Sequence, residues 1–303
     1  DGIRDSSVTG VQTCALPISD LDLIFLYDAP PDAVSDGRSK LPAAAYYVRL
    51  SQRLITALSA PTARGRLYEV DARLRPSGIQ GQLAVSLEGF LKYERDEAWT
   101  FEHMALTRAR PVAGSPALLA RAADGIRSVL TQPRDPRRLL TDVADLRTKV
   151  SLQHGTQDAL HIKYVRGGTF DLEFLAQYLQ LGAAATYPQV VNGDTAAAFQ
   201  ALGVAGVIPA DLAARLSRAT MFLRNVQSVL RATLEGDNAL AEAAETPEGV
   251  LRSVAKASGT LSTAQLQAEL EKTEAWVYER FQEMIEAPAA MLPATDAPPA
   301  PTR

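Results

Sequence analysis

The sequence predicts an α+β fold: a small α/β part first, then an all-α helical bundle. Three observations carry this. Period-two alternation of apolar and polar residues, the pattern of strands, is confined to segments 20–27 and 66–86. From about residue 117 to near the end, apolar residues instead step by three and four, as on one face of a helix. The chain has 303 residues and 47% hydrophobic composition, enough for one or two real cores.

Each element has its own reason. Segment 20–27, DLDLIFLY, reads as one strand with Asp20, Asp22, Ile24 and Leu26 on one face and Leu21, Leu23 and Phe25 on the other. The stretch DAPPDAVSDGRSK is a loop by its Pro, Asp and Gly content. Residues 43–58 set Tyr47, Leu50, Leu54 and Leu58 at helical spacing. Segment 66–76, RLYEVDARLRP, alternates again. Tyr68, Val70, Ala72 and Leu74 face a core, while Glu69, Asp71, Arg73 and Arg75 share the other face. PSGIQG is a turn, and QLAVS a short strand paired with the one before it. Residues 87–109 read as one or two helices.

In the helical part, Leu212, Leu216, Ala219, Leu223, Val226 and Leu230 form a buried stripe. Ser262 followed by Gln265 is a capping-box pattern. The helix it opens turns Leu266, Leu270, Val277, Phe281 and Met284 inward. The Pro/Ala-rich stretch 287–303 is expected to be disordered.

Composition excludes several classes. A net charge of -4 gives no pull towards nucleic acid. One cysteine, Cys14, forms no disulfide framework or cysteine-rich zinc site, and so few thiols point to a cytoplasmic setting. His103, His154 and His161 lack metal-ligand spacing. No apolar run reaches the ~18 residues a membrane span needs, and the N-terminus lacks the order of a signal peptide.

The chemistry concentrates on the two acidic strands. Asp20 and Asp22, two apart on a strand, point the same way, and Asp71 can join them. Alone, such a pair of acids is a common feature of loops and caps. Three carboxylates on one face repel one another, and a hard divalent cation relieves that. Mg²⁺ favours carboxylate and phosphate oxygens, and paired metals clamp an in-line displacement at phosphorus. Arg73 and Arg75 offer planar forks for phosphate, or are a solvated sheet face.

Four motifs in order carry a resemblance: SDLDLIFLYD, YEVDARLRPSGIQGQL, YERDEAWTFEHMALTRARPVAG and GGTFDLEFLAQYLQL. Together they span most of residues 19–181. The chain resembles the glutamine synthetase adenylyltransferase (glutamate-ammonia-ligase adenylyltransferase) family, and EAWTFEHMAL resembles its C-terminal, adenylylating half. The resemblance implies a nucleotidyltransferase domain over 19–116 and a helical bundle over 117–286. It implies ATP as substrate, Mg²⁺ as cofactor, and glutamine synthetase and the PII signal protein as partners. Asp20, Asp22 and Asp71 would hold Mg²⁺ against the ATP phosphates, and Asp71 could help deprotonate a tyrosine hydroxyl. Ser19, Arg73, Arg75, Arg108 and Arg110 are candidates for phosphate or protein contact. For Arg108 and Arg110 a solvated helix end is an equal alternative. Lys163 and Asp171 are further site candidates, although Asp171 also fits a helix N-terminus.

Residues 1–18 have no folding logic. VTGVQTCALPI matches a reading frame of a common sequencing-library adapter, so this segment is expected to be an artefact joined to a reading frame truncated at Ser19. Cys14 would then be artefactual, and a Gly/Ser phosphate turn before the strand would be missing, which puts ATP binding by this chain in doubt.

Rival functions remain at this point. The deadenylylating half would carry an RDWERYAM variant, absent here. A PII uridylyltransferase would carry a further domain with His-Asp pairs. The helical bundle could instead be a non-catalytic docking module for glutamine synthetase or PII.

Overall fold

In the computed structural model, residues 21–61, 70–233 and 246–293 are described. The adapter-like segment, Ser19 and Asp20 lie outside these residues. The chain divides into two compact units, one ending at Ala98 and the other beginning at Trp99. That division falls earlier than the boundary after residue 116 expected from pattern.

The first unit contains β1 (Leu21–Asp22), β2 (Phe25–Tyr27), α1 (Ala43–Leu58), β3 (Val70–Asp71), a 3₁₀ turn (Gly78–Gln80), β4 (Ala84–Ser86) and α2 (Leu87–Asp96). The single strand expected over 20–27 is therefore two short ones. They separate because they take different partners: β1 pairs with β3 and β2 with β4, both parallel. The expected pairing of QLAVS with the strand before it is also corrected. Parallel strands need a crossover, and the chain between β2 and β4, which includes α1, supplies it.

The alternation over 66–76 survives in the described residues only as Val70–Asp71. Beyond Asp71 the chain turns. Ser77 (φ 59°) and Gly78 (φ 55°) are left-handed. The Arg75 guanidinium holds the turn by donating to the carbonyls of Ala72 (2.6 Å), Gly81 (3.1 Å) and Ile79 (3.2 Å). Arg73 and Arg75 thus do not extend Asp71's strand face.

The apolar arc of α1 is wider than its covered side. Tyr47 stacks on Tyr27 with ring centroids 4.7 Å apart, and Ser51 is buried. Leu50, Leu54 and Leu58, expected by spacing, are 48%, 46% and 38% exposed.

The second unit is helical: α3 (Thr100–Leu106), α4 (Pro116–Leu130), α5 (Pro136–His154), α6 (Thr169–Ala183), α7 (Thr195–Val204), α8 (Ala210–Thr233), α9 (Glu248–Ala257), α10 (Thr263–Phe281) and α11 (Ala287–Ala290). Residues 87–109 are thus two helices, α2 and α3. Ser115, Asp135 and Asp194 cap α4, α5 and α7 through side-chain oxygens, the first two with Pro next in line. On α8, Leu216, Ala219, Leu223, Val226 and Leu230 are buried as the spacing predicts; Leu212 is half-buried. Ser262 caps α10 by accepting from Gln265 N, and the Gln265 side chain accepts from Leu261 N instead of the cap residue itself.

Leu266, Leu270, Val277 and Phe281 are buried as expected, but Met284 is only half-buried and Ile285 takes the inward place. The cause is a π-turn over Gln282–Glu286, which inserts one residue into the register. Helix then continues to Ala290, so the disorder expected from 287 is corrected for these residues. Residues 294–303 lie outside the described ones.

The packing centres on α6, where Leu172 and Leu175 are fully buried. Beside them Arg147 of α5 and Asp171 of α6 form an ion pair with both side chains fully buried. The Asp171 carboxylate also accepts from Gly167 N–H, and Arg166 stands 3.7 Å away. Arg147 further donates to Ser151 Oγ (2.6 Å) and to the carbonyls of Tyr164 (3.3 Å) and Val165 (3.5 Å). Gly167 has φ +84°, and a Cβ there would overlap the Glu274 backbone carbonyl. Glycine is required on both counts.

Two outcomes follow. Arg147→Met removes the main counter-ion of a buried carboxylate and leaves it the Gly167 N–H and the more distant Arg166, so denaturant unfolding should show a loss of about 3 kcal/mol. Adding Asp171→Leu should recover part of it. Glu274, whose Oε1 is buried without a partner, is the second case. Burial, then the charges of Glu271 and Asp158, push its carboxyl up to about 9. Folding keeps it protonated while the unfolded chain ionises above its ordinary value. This group's contribution is therefore fully present at acid pH and lost as pH rises towards 9. Glu274→Gln should raise stability at pH 8 by on the order of 2 kcal/mol and leave it unchanged near pH 4, read by melting at both pH values.

Candidate functional site

Parallel pairing of β1 with β3 sets Leu21 opposite Val70 and Asp22 opposite Asp71. Residues in register on neighbouring strands, about 4.8 Å apart, send their side chains to the same face. The two carboxylates that the sequence places 49 positions apart therefore share one face. Leu23 N donates to Asp71 O (2.7 Å) and fixes that register.

Asp71 is gripped by its neighbour. Arg73 donates to it from its backbone N–H (2.8 Å to Oδ1) and from Nε (2.7 Å to Oδ2), and Nη2 also reaches Oδ2. The Arg73 side-chain hydrogen bond, above all, holds the Asp71 carboxyl below its ordinary range, against an opposing cost of burial. Asp71 is thus an ionised oxygen donor across neutral pH. Asp22 is exposed. Two hard carboxylates on one face fit the donor chemistry of Mg²⁺, which would share Asp71 with Arg73. Among the described residues no group of three metal-ligating side chains occurs; Asp20, two positions from Asp22, lies outside them. Arg75 is engaged with backbone carbonyls, as above.

The other candidates belong to the second unit. Arg108, just past α3, pairs with Glu173 of α6 at 3.0 Å. Arg110 is exposed. Lys163 Nζ lies 5.1 Å from the ring centroids of both Tyr164 and Phe170. Asp171 is inside the helical packing, committed to Arg147 and the Gly167 N–H. Its carboxylate orders the turn on which Lys163 and Thr169 sit.

Sequence reasoning missed Arg147 and the partnership of Glu173. A signal for Arg147 exists. It falls four residues after Val143 in the inward register of Leu139, Leu140 and Val143, all buried. A cation at such a position requires a buried partner. Nothing local to Glu173 pointed to Arg108, which lies 65 positions earlier.

Comparison with known proteins bears on both units. A family model described as glutamate-ammonia ligase adenylyltransferase matches residues 17–125. One described as GlnD PII-uridylyltransferase matches residues 144–285. A bifunctional glutamine synthetase adenylyltransferase/adenylyl-removing enzyme of Xanthobacter autotrophicus is 40% identical over 296 residues, covering 93% of this chain and 30% of the relative. Its counterpart from Rhodopseudomonas palustris (strain BisB5) is 40% identical over 270 residues, covering 88% of this chain and 27% of its own length. That of Brucella suis biovar 1 is 53% identical over 164 residues, 54% of this chain and 17% of the relative. The chain spans less than a third of the length of these relatives. Acidic strands in register, matched motifs in order and relatives along nearly the whole chain agree: it belongs to the glutamine synthetase adenylyltransferase family.

Proposed function

We propose that this chain is the adenylylating part of such an enzyme, with a nucleotidyltransferase-type first unit. It would transfer AMP from ATP to a tyrosine hydroxyl of glutamine synthetase, in the cytoplasm and under the influence of the PII signal protein. The observation that carries the reading is the register of Asp22 with Asp71. Asp22 and Asp71, joined by Asp20, would hold Mg²⁺, which neutralises phosphate charge when bound. The tyrosine oxygen forms a bond to the α-phosphorus as its hydroxyl proton passes to water, the bond from that phosphorus to the bridging oxygen breaks, and pyrophosphate leaves. Positioning and charge neutralisation supply most of such catalysis.

Arg73 sharpens the roles. By holding Asp71 ionised it favours that carboxylate as an oxygen donor over a base, since a carboxyl of lowered pKa accepts a phenolic proton poorly. With Mg²⁺ held at Asp71, the largely exposed Arg73 would be placed to turn its guanidinium to a phosphate oxygen. The sequence EAWTFEHMAL, where the deadenylylating half would carry RDWERYAM, supports the adenylylating direction. The uridylyltransferase likeness covers the helical part alone, while the relatives along both parts are named for glutamine synthetase.

Incubation with α-labelled ATP, Mg²⁺ and purified glutamine synthetase should label a tyrosine of the synthetase. Asp22→Asn or Asp71→Asn should lower the rate on the order of 10²-fold or more while leaving the melting temperature within a few degrees. Label that is removed by phosphate but never added would assign the adenylyl-removing direction instead. No transfer in either direction, both from this chain and from a folded chain whose first 18 residues are replaced by a Gly/Ser turn and an upstream helix, would overturn the enzymatic reading and leave a docking module.

A further inference from the structure

On one face of the helical unit, among the described residues, four cations meet two carboxylates in ion pairs. Arg108 takes Glu173 at 3.0 Å, and Arg224 takes Asp194 at 2.5 Å. Arg231 and Lys163 have no carboxylate within ion-pair distance among the described residues. The groups are neighbours. Thr169, Glu173, Arg224 and Gln227 line one small polar pocket between α6, α7 and α8. Arg231 is attracted by the Glu173 carboxylate and lies near Tyr164, and Lys163 lies against the Tyr164 and Phe170 rings.

The geometry on α8 is a rail. Arg224, Gln227 and Arg231 are spaced three and four apart, so they lie along one edge of the helix. The two guanidinium groups are separated by about 10 Å of helix rise, with an amide between them. Arg231 is half-buried, and withdrawing a guanidinium from water is unfavourable when, among the described residues, no carboxylate lies in ion-pair contact with it.

We propose that this edge, Arg224–Gln227–Arg231 with Lys163 beside it, binds an extended phosphate chain, either free polyphosphate or the phosphate tail of a nucleotide. A single carboxylate or small anion cannot span two turns; a chain of phosphates can engage both ends at once. Each guanidinium presents a planar fork matched to phosphate oxygens, and the Gln227 amide can donate between them. Half-buried Tyr164 and Phe170 are stacked on His154 and Phe174, so a nucleobase would add to an aromatic row that already exists.

The inference goes beyond the proposed AMP transfer, and either can fail alone, because its readout needs neither metal nor glutamine synthetase. Calorimetric titration of the full chain, with EDTA and at low salt, would use inorganic tripolyphosphate and ATP as probes. Both should bind. Arg231→Gln should weaken binding about ten- to hundredfold, with Arg231→Lys restoring part. Lys163→Gln should also weaken it, and gives the same reading if Arg231→Gln does not fold. ATP binding more tightly, with the gap closed by Phe170→Leu, assigns the nucleotide; equal affinities assign the free chain. Absence of binding would overturn the proposal. So would binding indifferent to Arg231 and Lys163, or equal binding of an oligoglutamate peptide of the same charge.

Discussion

The helical unit depends on one ion pair. Arg147 and Asp171 are both fully buried, and between them they gather α5, α6 and the chain from Tyr164 to Gly167. Such a pair is not a cheap source of stability, because both charges leave water. What it supplies is position. Each guanidinium nitrogen has an acceptor, in Asp171, Ser151 or the carbonyls of Tyr164 and Val165, and this fixes the arrangement of the turn before α6. Arg166 extends the set to Glu286 in the π-turn, tying the end of the unit to the same point. The inserted residue of that turn therefore coincides with a contact that needs Glu286 at that place.

The first unit works by register. Asp22 and Asp71 gain their relation from backbone pairing, with no side-chain contact needed to set it. Arg73 then acts as an internal counter-ion, keeping Asp71 charged until something stronger competes for it. This suits a site that must take a cation and a phosphate together: the arginine displaced from the carboxylate is itself a phosphate ligand.

Much of this was legible in the chain. The stripe on α8, the cap at Ser262 and the acidic strands follow from local spacing, which the structure keeps wherever burial is one-sided. The failures share a cause. Alternation at 72–76 continued past the real strand because a period-two pattern does not register a turn held by Arg75 reaching back to three carbonyls. The strand at 20–27 divided because pairing partners are chosen far away in sequence. Leu50, Leu54 and Leu58 obey helical spacing yet face outward, since periodicity gives the width of an apolar arc and not what covers it. Ile285 replaced Met284 because a one-residue insertion is invisible to a fixed period. For the site, the types and spacing of Asp22 and Asp71 were readable, whereas pairs such as Arg108 with Glu173 arise only from the fold.

Three carboxylates show how environment assigns a role to one functional group. Asp71, gripped by Arg73 near the surface, is held ionised and remains reachable, the condition for binding a cation. Asp171 has a full set of buried donors and no solvent, so its charge is spent on architecture. Glu274 is buried with an oxygen lacking any donor, and it keeps its proton. The decisive variable is whether donors and water access occur together. Donors without water make a strut, and burial without donors makes a neutral acid. Donors with water leave a charged oxygen that an incoming ligand can claim. The same logic applied to cations separates Arg147 from Arg231. One is surrounded by acceptors; the other is half-withdrawn from water with none in ion-pair reach among the described residues, which is the condition of a group that waits for an anion.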